Sequence, residues 1–167
     1  GMPVALAVEV FHNFTLLHDD IMDDSPLRRG KQTVHEKWDV NTGILSGDLM
    51  LIQAYQHLCN SPNTAALPQL MQEFSRVATG VCEGQQYDVD FENRNDVTIA
   101  EYLTMIELKT AVLLRGSLEM GALAAGASQE DAGHLFAFGR LTGLAFQLQD
   151  DLLDTYGDSA STGKLKG

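Results

Sequence analysis

The chain has 167 residues, 44% of them hydrophobic and 20% charged, which fits one globular domain and excludes a disordered chain. A formal net charge of −12, from 23 acidic and 11 basic residues, excludes the basic surface that non-specific nucleic-acid binding needs. No apolar run approaches the ~18 residues that span a bilayer, so no membrane span is expected. Cys59 and Cys82 lack metal-site spacing and are expected to be buried, reduced thiols in a cytoplasmic protein.

The elements are helical nearly throughout. "GMPVALAVEVFHNF" lacks the basic region of a signal peptide and reads as a helix already under way. Val4, Ala7, Val8, Phe11 and Phe14 recur at helical spacing, and this first helix is expected to run from Pro3 to about Asp24. Pro26 and Gly30 break the pattern in "DSPLRRGKQT", which predicts a loop. A second helix is expected from near Gly43 to Cys59, ended by "NSPNT", and a third from Pro68 to about Tyr87. Thr98 with Glu101 three positions on forms a capping box, opening a helix that continues to Gly126. Ser128 with Asp131 is a weaker cap for the last helix, through "GRLTGLAFQLQDDLLDTYG". "VDF" and "VTI" hint at strands but are too short to build a sheet. Gly121, Gly126, Gly139 and Gly143 lie in or beside helical runs, where each costs up to ~1 kcal/mol of propensity, so close helix packing is expected there. The fold class is all-α, a bundle of long helices around a central cavity. Residues 1–167 read as a single α-helical domain cut at both ends from a larger one, with further helices before and after it.

"HDDIMDDSPLRRGK" sets Asp19, Asp20, Asp23 and Asp24 beside Arg28, Arg29 and Lys31. "FQLQDDLLD" repeats the spacing with Asp150, Asp151 and Asp154, so D-D-x-x-D occurs twice, each time after a long apolar stretch. On a helix the first and last carboxylates of this pattern lie on one face, a turn apart. Like charges so placed destabilise a helix by a few tenths of a kcal/mol per pair. The first cluster also sits near a helix C-terminus, where the macrodipole disfavours anions. Partly desolvated carboxylates in this setting need cations. An all-oxygen donor set suits Mg²⁺, with Mn²⁺ as an alternative, and Mg²⁺ commonly takes its remaining ligands from a substrate phosphate. A lone D-D-x-x-D is more often a solvated helix end; two copies facing across a bundle would present six carboxylates to one cavity. Lys109, inside the apolar "MIELKTAVLL", and Lys164, after the second cluster, complete a cationic set suited to a polyanion. Apolar helix walls below it would hold a hydrocarbon. A diphosphate head with a greasy tail satisfies both halves.

These residues resemble the trans-isoprenyl diphosphate synthases of the polyprenyl synthetase family. "HDDIMDDSPLRRGKQTVH" resembles the first aspartate-rich motif and its arginine pair, and "ELKTAVLL" the Lys-Thr motif. "GLAFQLQDDLLD" with the later Gly163-Lys164 is similar to the second aspartate-rich motif, and "GQQYDVDF" to the Gly-Gln-x-x-Asp stretch between them. The resemblance implies the isoprenoid synthase fold and a homodimer that condenses isopentenyl diphosphate with an allylic prenyl diphosphate. It implies that Asp19, Asp23 and Asp150 ligate Mg²⁺, with Asp20, Asp151 and Asp154 ligating or supporting through water. Arg28, Lys109, Thr110, Gln147 and Lys164 match positions that hold the allylic diphosphate. Arg29 and His12 match contacts to isopentenyl diphosphate, and Asp88 a supporting aspartate that orients a lysine. Without the resemblance, His12 reads as a core histidine and Gln147 as a helix-surface amide. Phe14, five residues before Asp19, would act as a floor to the growing chain beside the smaller Thr15, which implies a C15 to C20 product. The family's Gly-Lys-Arg motif has no match in this sequence. Two alternatives stay open: a terpene cyclase-like enzyme, whose second metal motif is usually not D-D-x-x-D, and a non-catalytic subunit of a heteromeric synthase.

Overall fold

The computed structural model describes residues 1–156, which divide after Met71 into two compact units. In the first unit, α1 (Met2–Met22) opens with proline in its first turn, where the missing N–H leaves no bond unmade. Its buried face is Val4, Ala7, Phe11 and Phe14, the stripe expected from the spacing. The chain leaves α1 through Asp24 at φ 50°.

The segment expected as a loop contains a small hairpin. Antiparallel β1 (Leu27–Arg28) and β2 (Lys31–Gln32) pair Leu27 with Gln32 and Arg28 with Lys31. Arg29 (φ 53°) and Gly30 (φ 74°) make the turn, both in the left-handed region, as a two-residue hairpin turn of this twist requires. Strands of two residues carry too little alternation to be read from sequence. Below the hairpin, buried Thr33 donates its hydroxyl to the Ser25 carbonyl at 2.7 Å. A short α2 (Val34–Lys37) follows, then α3 (Val40–Cys59), which starts three residues earlier than expected. Its cap is Asp39, whose carboxylate accepts from the Thr42 amide at 2.8 Å and the Thr42 hydroxyl at 2.7 Å. α3 packs on α1 through small residues. A Cβ on Gly43 would lie 2.7 Å from Ile21 Cδ1, and one on Gly47 would collide with the His18 ring. A 3₁₀ turn (Thr64–Ala66) leads into α4 (Leu67–Phe91).

The second unit, from Gln72 onward, contains the rest of α4, α5 (Ile99–Ile106), a five-residue π-helical segment (Glu107–Ala111), α6 (Val112–Ala125) and α7 (Gln129–Tyr156). The Thr98–Glu101 capping box is present, and Ser128 accepts the Asp131 amide at 3.1 Å. "VDF" is the last turn of α4 and "VTI" the cap of α5, so neither is a strand. The helix expected to run unbroken to Gly126 is instead interrupted by the π segment, an irregularity that periodicity does not reveal and that frequently marks functional sites.

Neighbouring backbones come close around this segment. A Cβ on Gly84 would collide with the backbone nitrogen of Lys109, and one on Gly143 would lie 2.6 Å from Ala111 Cα. Gly139 is equally tight, 2.6 Å from Arg115 Cα, as expected from the sequence. Gly121, by contrast, has nothing within 4 Å, and Gly126 (φ 77°) serves as the left-handed stop of α6. Among the described residues, Phe74, Val77, Ile106, Val112 and Met120 are the largest fully buried side chains of this unit. Cys59 and Cys82 are free, as expected, but exposed rather than buried. No helix among the described residues is long and apolar enough to cross a membrane.

Candidate active site

In the first unit, Asp19 and Asp20 lie in the last turn of α1, and Asp23 is its C-cap. Arg28 on β1 reaches back to both: its Nε donates to Asp20 Oδ1 at 2.7 Å and its Nη2 to Asp19 Oδ2 at 3.2 Å. The hairpin therefore returns an arginine fork to the helix end that needs it, against the anion-disfavouring dipole. Asp20 is only 6% exposed. Burial pushes its carboxyl up from the ordinary range, Arg28 pulls it down, and the neighbouring Asp19 charge pushes it up again. Arg29 is exposed at the tip of the turn.

One turn and more below, Phe14 is buried, its ring edge-on to His18 at 4.7 Å and tilted against Phe11 at 5.6 Å. Thr15 donates its hydroxyl to the His12 carbonyl at 2.8 Å, and His12 itself is half-buried.

In the second unit, the π segment carries Lys109 and Thr110. Lys109 Nζ lies 2.5 Å from Asp88 Oδ2 on α4, the aspartate to which the resemblance gave a supporting duty toward an unnamed lysine. Thr110 Oγ1 donates to Gln147 Oε1 at 2.7 Å, and Gln147 Nε2 donates to Asp151 Oδ1 at 2.8 Å one turn further along α7. The other oxygen of Asp151 accepts from the Tyr102 hydroxyl on α5. Thr110 of the π segment and Gln147 and Asp151 of α7 are thus links of one hydrogen-bonded chain. Asp150 is half-buried beside it. Lys164 lies outside the described residues, as does the side chain of Asp154.

Sequence reasoning missed Tyr102. It stands seven residues before Lys109, outside every motif, and nothing in its neighbours signals a polar duty. It also missed that Glu107, first residue of the π segment, receives Arg140 of α7 through two bonds of 2.7 Å.

The donor set is all carboxylate oxygen, the hard chemistry that suits Mg²⁺ and, with the same ligands, Mn²⁺. Asp20 supplies the structural test of fit: a carboxylate only 6% exposed, its carboxyl raised by burial and partly compensated by the Arg28 guanidinium, is a group that a divalent cation would stabilise. Asp19, Asp20 and Asp23 could hold such an ion in the first unit, and Asp150, supported by Asp151, could hold one in the second.

Fold and site together define a class: an all-α protein with paired aspartates near a helix end, held by arginine in one unit, and on α7 beside a tyrosine, glutamine and threonine array in the other. Comparison with known proteins narrows this. The model of the Polyprenyl synthetase family matches residues 2–167. The chain is 45% identical over 167 residues to the geranylgeranyl diphosphate synthase of Methanosarcina mazei, covering 99% of this chain and 52% of that protein. A crystal structure of a geranylgeranyl pyrophosphate synthase superimposes with a TM-score of 0.90 at 58% identity, covering 94% of this chain and 48% of that one. A geranyltransferase from Helicobacter pylori, crystallised with magnesium and isoprenyl diphosphate, matches with a TM-score of 0.89 at 34% identity, covering 98% of this chain and 56% of that one. The chain belongs to the polyprenyl synthetase family and has its all-α isoprenoid synthase fold. It spans about half the length of the curated relatives it matches.

Proposed function

We propose that this chain is part of a trans-prenyl diphosphate synthase that condenses isopentenyl diphosphate with an allylic prenyl diphosphate to give a C15 to C20 product. The observation that carries this reading is the hydrogen-bonded chain from Thr110 through Gln147 to Asp151, with Lys109 fixed by Asp88 beside it. Residues that the family motifs name separately are there coupled in one array.

Each residue then has a task. Lys109, Thr110, Gln147, Arg28 and Lys164 bind the allylic diphosphate, with the guanidinium and ammonium groups matching its oxygens. Asp88 holds Lys109 in its donating orientation. Arg29 and His12 contact isopentenyl diphosphate. Bound Mg²⁺ supplies the positive charge that stabilises the diphosphate as it leaves. The aspartates of each motif would hold such ions, while the cationic side chains would compensate the charge that develops as the allylic C–O bond breaks. The electron pair of that bond leaves with the diphosphate. The double bond of isopentenyl diphosphate attacks the allylic carbon, and a proton lost to the released diphosphate restores an alkene. Phe14, buried under the aspartates, limits the length of the hydrocarbon. A homodimer accords with the reading, because α3 exposes Leu45, Leu49 and Ile52, which share one side of the helix.

The test is to incubate the whole protein with Mg²⁺, isopentenyl diphosphate and each allylic primer in turn, and to size the products by chromatography. A discrete series of prenyl diphosphates is expected. Cyclised hydrocarbon, or turnover only on adding a second, different subunit, would overturn the assignment.

A further inference from the structure

The phenol of Tyr102 gives Asp151 a second, separately anchored bond. Asp151 Oδ1 takes the Gln147 amide at 2.8 Å and Oδ2 takes the Tyr102 hydroxyl, so both oxygens of one carboxylate are gripped by uncharged donors. Gln147 is on α7 itself, one turn back, and reaches another element only through its own bond from Thr110 of the π segment. Tyr102 is on α5, so its bond ties Asp151 directly to a second element. A tyrosine suits this work: two torsions fix its ring, and a bond to an ionised acceptor is about twice as strong as one between neutral groups. Asp150 is the next residue on the same turn. Any rotation of α7 about its axis moves both aspartates together, and the Tyr102 bond opposes that rotation.

We propose that Tyr102 is a positioning residue for the second aspartate motif, which locks Asp151 to α5 and thereby sets the helical angle at which Asp150 meets a divalent cation and diphosphate. The inference rests on the function proposed above. It assigns to Asp151 a bracing duty, with Asp150 as the ligand that benefits.

The experiment uses the whole protein and its Tyr102→Phe, Asp151→Asn and doubly substituted forms. Mn²⁺ binding in the presence of inorganic diphosphate is followed by electron paramagnetic resonance, and thermal unfolding is recorded in chelator. Loss of one charge-assisted bond predicts that Tyr102→Phe weakens Mn²⁺ binding roughly tenfold or more. The apparent Mg²⁺ requirement for turnover should rise in parallel while kcat at saturating Mg²⁺ recovers. The unfolding midpoint should move little. Adding Tyr102→Phe to Asp151→Asn should cause no further weakening, because both changes cut the same link. Unchanged Mn²⁺ binding in Tyr102→Phe would overturn the inference and leave the synthase reading standing. So would a fall in unfolding midpoint with kcat lost at every Mg²⁺ concentration, which marks a purely structural role. If the unsubstituted protein failed to bind Mn²⁺ with diphosphate, the synthase reading and the inference would fall together.

Discussion

Phe14 shows how much can turn on one side chain. It is buried, and two aromatic contacts fix its ring, with Phe11 below and His18 above. Phe14→Ala is expected to shift the product to longer chains, read by chromatography of the dephosphorylated alcohols. The same change empties a packed position and should cost about 3–5 kcal/mol of stability. An unchanged product in a folded variant would move the floor to another residue. Thr15 does not compete for this role, since its hydroxyl is committed to the His12 carbonyl. At this scale the sequence was informative where residue type alone carries chemistry. Asp19, Asp20, Lys109 and Gln147 could be singled out from spacing and motif. Their partners were less visible. Arg28 was expected to face a phosphate, and in this structure it holds Asp19 and Asp20. Which anion an arginine faces depends on the hairpin that returns it, and a hairpin of two-residue strands leaves no periodic trace.

Among the elements, the π segment sets the arrangement. Winding Glu107–Ala111 more widely brings Lys109 and Thr110 to their partners Asp88 and Gln147 on two different helices. Gly84 and Gly143 allow the neighbouring backbones to close on this wider turn. The segment is pinned at its start, where the Arg140 guanidinium beside Glu107 holds its carboxyl below the ordinary range, against the opposing effect of burial. A depressed carboxyl contributes stability that is fully present above its unfolded value of about 4.3 and is lost as pH falls through the lower folded value. Arg140→Ala should therefore lower stability at pH 7 by about 1 kcal/mol, the pair being partly screened by solvent. The gap between variant and parent should close as pH drops below about 4, measured by denaturant unfolding across pH. A gap that persists at low pH would mean that packing, not charge, is what Arg140 contributes. The helices themselves were legible, because their apolar stripes, caps and breakers agree with one another. The π segment was not, since a one-residue change of winding leaves the apolar pattern of "MIELKTAVLL" almost intact.

At the scale of the molecule, α3 carries an exposed apolar side. Leu45, Leu49 and Ile52 are 68%, 55% and 55% exposed. The homodimer proposed above would cover this face. Leu49→Asp in the whole protein is expected to lower the sedimenting mass from dimer to monomer, since a buried interfacial carboxylate without a partner is costly. An unaltered mass would remove α3 from the interface.

The turn at Arg29 has a consequence of a different kind. A designer asking only for a durable two-residue turn would write Asn-Gly or Gly-Gly, because a side chain in the left-handed region costs roughly 1 kcal/mol. This chain writes Arg-Gly, with the arginine at φ 53°. Arg29→Gly should relax the backbone, holding or raising the unfolding midpoint, while the KM for isopentenyl diphosphate climbs. A sturdier protein that handles its substrate worse would mean that the hairpin exists to hold a guanidinium aloft, and that comfort of the backbone came second.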